Sequence, residues 1–223
     1  MFDCFSKNIG TLTTAEADAL QNSTIAVVGV GGLGGRVSEN LCRNGVGKLI
    51  LIDDDIFSTS NLNRQLFCNC ETIGLKKAEV AKTELQKINQ DISIDVKTTK
   101  LDEKNACEFL TGASVVVDAL DNIPSRLVLE NACATLGIPL IHGAVSGFCG
   151  EVAIDFPQNA TLSKLYKENS ENPTSSTLSS TCAVIAAVQS TVAIKVILGK
   201  ISEKDDNLLL IDLKNFNFEK LKL

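Results

Sequence analysis

A glycine-rich turn, GVGGLGG at residues 29–35, separates a short β-branched apolar run from a segment with helical periodicity. A second apolar run at residues 49–52 ends in three aspartates, beginning with Asp53. Glycine lets the backbone turn sharply and approach a phosphate closely, and the next helix points its free N–H groups at that phosphate. An acid after the second strand can accept hydrogen bonds from ribose hydroxyls. The stretch therefore predicts a nucleotide site that includes Gly29, Gly31, Gly32, Gly34 and Asp53.

Apolar runs continue to alternate with helical patterns further along the chain. The alternation predicts strands at 24–29, 48–53, 92–98, 114–117 and 140–141, and helices at 33–44, 76–88, 102–111 and 124–136. This order is typical of an α/β fold, namely a Rossmann-like, doubly wound, mostly parallel sheet with helices on both faces. Such sheets bind ligands at the carboxyl ends of their strands. We therefore expect three polar groups to converge there: Asp53–Asp55, Asp118–Asn122 and His142–Gly143.

The segment after Gly150 has a different character. A strand is expected at 151–156, followed by a polar surface loop at 157–180 that is mobile in part of its length. Residues 182–198 are strongly apolar but short for a membrane span, which favours a buried helix. Two last strands, at 208–211 and 215–221, are expected to extend the sheet in antiparallel fashion. We expect a single domain across residues 1–223.

Composition argues against several classes of protein. The formal net charge of −6 disfavours a nucleic-acid binder, which needs a basic surface. The first residues lack the apolar core of a secretory signal, and no apolar run in the sequence reaches transmembrane length. The eight scattered cysteines contain no CxxC pair and His142 is the single histidine, so we expect reduced thiols and no structural zinc. These features predict a cytoplasmic protein that binds neither nucleic acid nor a membrane.

The residues just beyond Asp53 distinguish between nucleotide chemistries. The run from 53 to 65, DDDIFSTSNLNRQ, places Arg64 after the ribose acid, and Lys76 and Lys77 begin the next helix. Such a cluster of cations exceeds what a hydride-transfer enzyme needs to hold a pyrophosphate. It suits the negative charge that develops on a triphosphate under attack. The pattern therefore favours chemistry at phosphorus over hydride transfer.

The ordered set GVGGLGG (29–35), LIDDDIFSTSNLNRQ (51–65), Lys77 and VVVDALDNIPSR (115–126) resembles the ThiF/MoeB/HesA family, bacterial relatives of the ubiquitin-activating enzymes. The similarity runs from about Ser6 to the C-terminus. It implies an adenylyltransferase that uses ATP and magnesium and releases pyrophosphate. The implied substrate is the C-terminal glycine of a small ubiquitin-like sulfur-carrier protein in thiamine or molybdopterin biosynthesis. The resemblance also implies a homodimer.

The resemblance implies roles for individual positions. Arg64, Lys77 and Asp121 are the expected catalytic residues, of which Asp121 binds magnesium. Asp53 holds the ribose, and Asn61 joins the cations at the phosphates. The full set expected to bind the nucleotide is Gly29, Gly31, Gly32, Gly34, Asp53, Asp55, Ser60, Asn61, Arg64, Lys77, Asp121 and Asn122.

The chain departs from the family pattern in two places. Relatives usually carry an N-terminal arginine that reaches the partner subunit's ATP, and this chain has Lys7 there, which keeps the charge but loses the bidentate fork. The two zinc-binding CxxC motifs of many relatives are missing, which indicates a shorter, metal-free branch. Cys182 is a candidate nucleophile, but it begins an apolar helix, where a buried structural thiol is favoured.

Three alternatives remain open. A NAD-dependent oxidoreductase would share the glycine turn but would leave Arg64, Lys77 and Asp121 without a role. A non-catalytic module that binds a ubiquitin-like protein is consistent with Lys7 in place of arginine. An adenylating enzyme for a carboxylate on a modified tRNA base is disfavoured by the acidic charge.

Overall fold

The computed structural model describes residues 3–166, 176–205 and 207–223. Its strands are β1 (Thr24–Val28), β2 (Lys48–Ile52), β3 (Ser93–Lys97), β4 (Val115–Asp118), β5 (Leu140–Ser146), β6 (Cys149–Asp155), β7 (Asn207–Asp212) and β8 (Asn217–Lys222). They form one sheet in the order β3-β2-β1-β4-β5-β6-β7-β8. The pairs from β3 to β5 are parallel, and those from β5 to β8 are antiparallel. The predicted Rossmann-like sheet with a C-terminal antiparallel extension is confirmed.

Helices cover both faces of this sheet. They are α1 (Thr14–Gln21), α2 (Gly34–Arg43), α3 (Lys77–Ile88), α4 (Ala106–Leu110), α5 (Ile123–Leu136), α6 (Thr161–Leu165) and α7 (Ser179–Ile197). Residues of α2, α3 and α7 share one buried cluster with Ile25 and Val27 of β1, whereas α4, α5 and α6 share a second cluster with Ala26 and Val28. Because successive side chains of a strand point to opposite faces, β1 is buried on both sides. This is why it reads as a continuous apolar run.

Two helix starts carry a signal in the sequence: Thr13 or Thr14 with Glu16 predicts an N-cap, and Pro124 predicts a first helical turn. The Thr13 hydroxyl accepts a hydrogen bond from the Glu16 N–H at 3.2 Å, and the Glu16 carboxylate accepts one from the Thr13 N–H at 2.8 Å. This reciprocal capping box starts α1 at the expected place. In α5, Pro124 lies in the first turn, and Gly137 ends the helix in the left-handed conformation at φ +70°.

Two glycines of the turn after β1 are required by the close approach of the backbone. Gly29 has φ +89°, and a Cβ there would lie 2.6 Å from the carbonyl oxygen of Ala119. A Cβ on Gly34 would lie 1.8 Å from the carbonyl oxygen of Gly29. The start of α2 therefore packs directly against the end of β1.

The structure differs from the sequence-based expectation in the polar segment 157–180. Residues 161–165 form helix α6, and α7 already begins at Ser179 rather than at Cys182. Ser and Thr favour helix starts because they compete for backbone hydrogen bonds, so the first turn of α7 reads as loop in the sequence. Residues 167–175 of this segment lie outside the described part of the chain, and the expected mobility of the loop stays a prediction.

The sequence placed His142 and Gly143 at the end of a strand, and this prediction is wrong. They lie within β5, because antiparallel pairing with β6 runs from Leu140 to Ser146, whereas parallel pairing with β4 stops at His142. His142 is fully buried. The predicted convergence at the strand ends therefore does not include this histidine.

Helix α7 is long and apolar enough, by length and composition alone, to cross a membrane. Its buried residues, which include Cys182, Ile185 and Ala193, belong to the core cluster between α2 and the sheet. The apolar run is thus used to cover β5 and β6, as predicted for a buried helix.

Candidate nucleotide-binding active site

A cavity of about 610 Å³ opens where β1, β2 and β4 end. Its walls come from segments that are far apart in the sequence, as expected for the carboxyl edge of a doubly wound sheet. The cavity brings together most of the predicted nucleotide-binding set: Gly29, Gly31, Gly32, Asp53, Asp55, Arg64, Lys77, Asp121 and Asn122.

Asp53 is fixed at the end of β2 by two backbone groups. Its Oδ2 accepts a hydrogen bond from the N–H of Val30 in the glycine turn at 2.6 Å, and its Oδ1 accepts one from the N–H of Asp55 at 2.9 Å. Burial raises the pKa of the Asp53 carboxyl, against the lowering effect of the Val30 N–H and the Lys77 charge. Each carboxylate oxygen keeps a free lone pair, so the oriented acid can still accept hydrogen bonds from a diol.

Two of the predicted cations, Lys77 and Arg64, line the cavity. The Lys77 ammonium lies in an ion pair with Asp55, with Nζ 2.8 Å from Oδ2, and only 8% of the lysine side chain is exposed. Arg64 is held by the backbone carbonyl of Ser60 at 3.1 Å and by the side-chain oxygen of Asn63 at 2.9 Å. Arg64 uses one terminal nitrogen for both bonds, so other guanidinium donors stay available for phosphate oxygens.

Four predicted residues do not line the cavity. Gly34 serves close packing of α2 on β1, and Lys7 is exposed on a short 3₁₀ helix, Asp3–Asn8. Asn61 accepts a hydrogen bond from the N–H of Ser58 at 3.0 Å, and the Ser60 hydroxyl lies 2.9 Å from that of Ser58. The Ser60 and Asn61 side chains thus shape the 3₁₀ turn that precedes Arg64.

Asp121 lies exposed on the loop between β4 and α5. The Asn122 side chain donates to its Oδ1 at 3.2 Å and also caps α5 by accepting from the Ser125 N–H at 3.0 Å. Among the described residues no three His, Cys, Asp or Glu side chains cluster as a metal site. Magnesium usually binds one or two carboxylates together with substrate phosphates and water. The exposed Asp121 carboxylate shares the cavity with Lys77 and Arg64, which fits that mode.

Sequence reasoning missed several lining residues. Thr99, Lys100 and Leu101 follow β3, so the rule that ligands bind at strand ends could have found them. Gln65 also lines the cavity, and its buried Oε1 has no partner in the structure. Arg126 was not missed: the sequence left it between a role at the site and bracing of the loop or first helical turn, and it lines the cavity from α5 with its side chain buried.

Cys182 lines the cavity beside the glycine turn. A Cβ placed on Gly32 would lie 3.0 Å from the Cys182 sulfur. Burial raises the pKa of this thiol, against the lowering effects of Thr177 and of the charges of Arg64 and Arg36. The neutral thiol is a poor nucleophile, and this environment favours a packing role.

Behind the cavity lies a buried polar network around His142. The His142 Nδ1 lies 2.7 Å from Oδ2 of Asp118, and its Nε2 lies 2.9 Å from the hydroxyl of Tyr166. Burial lowers the pKa of His142, but hydrogen bonds to Asp118 and Glu151 outweigh it and raise the pKa overall. The imidazole is enclosed by these partners, so it does not reach the cavity as an acid or base.

A second cavity of about 500 Å³ lies on the face of β5, β6, β7 and β8. It shares the wall residues Ala144 and Val145 with the first cavity. Ile123, Leu210 and Ile211 make its apolar lining, and its acidic residues are Glu151, Asp212 and Glu219. A polypeptide lying in the second cavity could direct its end into the first.

A glycine turn, an oriented acid, two cations and an exposed carboxylate at the ends of parallel strands define a nucleotide-binding enzyme that acts at phosphate. The chain belongs to the ThiF family, whose model matches residues 5–223. Its relatives are named adenylyltransferases, and adenylyl transfer is accordingly the enzyme class of this chain.

Two curated relatives illustrate the likeness. The molybdopterin-synthase adenylyltransferase of Haemophilus influenzae is 34% identical over 92% of this chain and 87% of its own length. The sulfur carrier protein adenylyltransferase of Thermus thermophilus is 32% identical over 92% of this chain and 80% of its own length. Among solved structures, the tRNA N6-threonylcarbamoyladenosine dehydratase of Escherichia coli superposes with a TM-score of 0.78 at 24% identity. That superposition covers 89% of this chain and 95% of the dehydratase, and it concerns the fold alone.

Proposed function

We propose that this enzyme uses ATP to activate the C-terminal glycine carboxylate of a small ubiquitin-like sulfur-carrier protein, in thiamine or molybdopterin biosynthesis. The observation that carries the proposal is the meeting of Asp53, Arg64, Lys77 and Asp121 around one cavity. The names of the relatives support a sulfur carrier as the substrate.

In the proposed reaction a carboxylate oxygen of the carrier bonds to the α-phosphorus of ATP. The bond from that phosphorus to the bridging oxygen breaks, and pyrophosphate leaves. Asp53 orients the ribose, while Arg64 and Lys77 bring positive charge to the phosphates and reduce repulsion between two anions. Asp121 would hold magnesium, which neutralises phosphate charge when bound. Because the attacking oxygen is already ionised, the reaction needs no base from the protein.

The second cavity supports the proposed route of the carrier. Its apolar wall continues into the nucleotide cavity at Ala144 and Val145. An extended tail is a segment that such a groove can bind along its length. We place the tail along this wall, with its terminal carboxylate next to the α-phosphate.

A homodimer completes the proposal. Lys7 is exposed and does not line the nucleotide cavity of its own chain, which agrees with a role at the site of a second copy. In the proposed dimer its ammonium contributes to the phosphate site of the partner subunit. A cytoplasmic location and a single adenylation domain across residues 1–223 belong to the same proposal.

An exchange assay with labelled pyrophosphate, ATP, magnesium and purified small carriers ending in glycine tests the function. We expect carrier-dependent label in ATP, and loss of that label in Asp121→Ala. The exposed Asp91 lies outside the cavity, so Asp91→Ala is the matched control and should exchange as the unchanged chain does. Absence of exchange with every carrier, or full exchange by Asp121→Ala, would contradict the proposal.

Calorimetry separates the proposal from its rivals. The unchanged chain should bind ATP with magnesium and should not bind NAD. Preferential binding of NAD would favour an oxidoreductase. Tight binding of a carrier without any exchange would favour a non-catalytic module.

A further inference from the structure

The residue just before Asp121, Leu120, is held through both of its backbone polar groups. The Leu120 N–H donates to Oδ1 of Asp118 at 2.9 Å. The Leu120 carbonyl accepts a hydrogen bond from Nη2 of Arg126 at 2.7 Å. Two side chains therefore fix the orientation of the residue that precedes the exposed carboxylate. An exposed loop residue would otherwise be free to rotate with its backbone.

Arg126 is itself fixed in place. Its side chain is 3% exposed, its Nη1 donates to the Tyr166 hydroxyl at 3.1 Å, and its Nε lies 3.5 Å from Oδ2 of Asp118. The guanidinium also stacks on the Tyr166 ring, with Cζ 5.3 Å from the ring centre. Arginine provides several donors in one plane, so a single side chain can connect a loop carbonyl, a carboxylate and a hydroxyl.

A further layer of contacts supports this arrangement. His142 lies between Asp118 at 2.7 Å and Tyr166 at 2.9 Å, and the Tyr166 hydroxyl donates to Glu151 at 2.5 Å. Each of these groups is buried or half-buried. Movement of the arginine would therefore leave several buried polar groups unpaired, which is unfavourable.

Stability alone does not account for this network. Buried ion pairs are often no more stabilising than apolar residues of similar volume, because both charges lose their hydration. The Nε of Arg126 has no hydrogen-bond partner, so the pairing is incomplete. The shortest hydrogen bond of Arg126 goes to a loop carbonyl next to Asp121 rather than to a core element.

We propose that Arg126 is a positioning residue that sets the direction of the Asp121 carboxylate through the Leu120 carbonyl, with Tyr166 holding the arginine. The inference rests on the proposed function, in which Asp121 is the residue that binds magnesium. Loss of the Arg126 contacts leaves Arg64 and Lys77 in place at the cavity. It therefore weakens the part of ATP binding that depends on magnesium, and spares the part that does not.

Calorimetric titration with ATP, once with magnesium and once with EDTA, tests the inference. Arg126→Lys keeps the charge but loses the planar fork, and Tyr166→Phe keeps the ring but loses the hydroxyl. Both should weaken binding of magnesium–ATP, by about tenfold for Arg126→Lys, as for other residues that orient metal ligands. Binding of ATP in EDTA should stay within about twofold of the unchanged chain, because the remaining contacts are intact. Arg43→Lys, on the exposed side of α2, is the matched control.

The outcomes separate the inference from the function. If the unchanged chain binds magnesium–ATP and both variants bind it equally well, Arg126 has no positioning role and the proposed function stands. If a variant loses affinity equally with and without magnesium, its effect is structural and the inference is wrong. If the unchanged chain shows no gain from magnesium, both proposals fail. Thermal unfolding of each variant is measured alongside, and Tyr166→Phe decides the question if Arg126→Lys does not fold.

Discussion

Lys77 and Asp55 form an ion pair at the rim of the nucleotide cavity, with 2.8 Å between Nζ and Oδ2. The two partners differ in environment, since 8% of the lysine side chain is exposed against 67% of the aspartate side chain. The aspartate therefore neutralises a largely buried cation while the phosphates are absent. Asp55 is better explained as the partner of Lys77 than as a direct contact of the nucleotide.

The first prediction concerns Asp55→Asn. The substitution leaves the Lys77 ammonium without its counter-charge, so we expect the free energy of unfolding to fall by about 1 kcal/mol. ATP supplies negative charge at the same place, so it should raise the melting temperature of the variant more than that of the unchanged chain. Thermal unfolding with and without ATP measures both effects.

The control is Glu84→Gln on the same helix. Glu84 pairs with Lys87 at 2.7 Å, and both side chains are well exposed. Removal of this surface pair should change stability by no more than about 0.5 kcal/mol. If Asp55→Asn behaved like Glu84→Gln, or weakened ATP binding as strongly as Lys77→Ala, the assigned role of Asp55 would be wrong.

The second prediction concerns Arg64, which has free guanidinium donors at the cavity. If these donors bind the outer phosphates of the nucleotide, Arg64→Ala should weaken ATP binding by about tenfold or more and leave AMP binding nearly unchanged. Calorimetry with the two nucleotides gives the ratio directly. Arg43→Ala removes an exposed arginine from α2 and should alter neither affinity. An equal loss of ATP and AMP affinity would instead place Arg64 at the base or the ribose.

The third prediction concerns the pH dependence of stability at Asp155. Burial raises the pKa of this carboxyl to about 7, with Glu130 raising it further and the Thr161 N–H opposing. The folded protein therefore holds a proton that the unfolded chain releases near the ordinary pKa of 3.8. The contribution of Asp155 to stability is therefore greatest below that value and is lost as the pH rises through about 7.

Chemical denaturation at about pH 5 and about pH 8 measures this decline. Asp155→Asn cannot ionise and still offers an oxygen to the Thr161 N–H, so the decline should become shallower. Asp91→Asn, on an exposed turn, should keep the pH profile of the unchanged chain. An unaltered decline in Asp155→Asn would show that Asp155 is not the group responsible.

The parts of the fold that sequence could predict are those set by local patterns. β1 and β2 are continuous apolar runs because both of their faces are buried, and Thr13 with Glu16 forms the capping box that the sequence indicated. The cavity residues at the ends of β2 and β4 also follow from a general rule on parallel sheets.

The remaining features depend on contacts between distant segments. No local pattern predicts that Arg126 would reach Leu120 and Tyr166, or that the side chain of Asn61 would be used to cap a turn. β5 pairs with β6 beyond the parallel part of the sheet, and this pairing lengthens β5. His142 is therefore buried inside a strand, whereas the short apolar run at 140–141 predicted it at a strand end. Helix α6 starts at Thr161, where Asp155 and Glu130 accept hydrogen bonds from backbone N–H groups, and Glu130 comes from the distant helix α5.

The last prediction separates two glycines of the same turn. A Cβ on Gly34 would meet the carbonyl oxygen of Gly29 at 1.8 Å, and neither backbone segment can move away without breaking the packing of α2 on β1. A Cβ on Gly31 would first meet the Gln65 side chain at 3.4 Å, which is an ordinary contact. Gly34→Ala should therefore destabilise the fold by about 3 kcal/mol or more, whereas Gly31→Ala should fold almost normally.

Gly31→Ala should instead weaken ATP binding, because the new methyl group lies in the cavity where backbone N–H groups must approach the phosphates. Denaturant unfolding measures the stability of both variants, and calorimetry measures their affinity for ATP. Each variant serves as the control for the other. In a helix, alanine is intrinsically favoured over glycine by about 1 kcal/mol, so a loss of stability in Gly34→Ala would have to come from the clash. A stable Gly34→Ala would show that α2 can shift away from β1, and unchanged ATP affinity in Gly31→Ala would show that the phosphates do not lie against this turn.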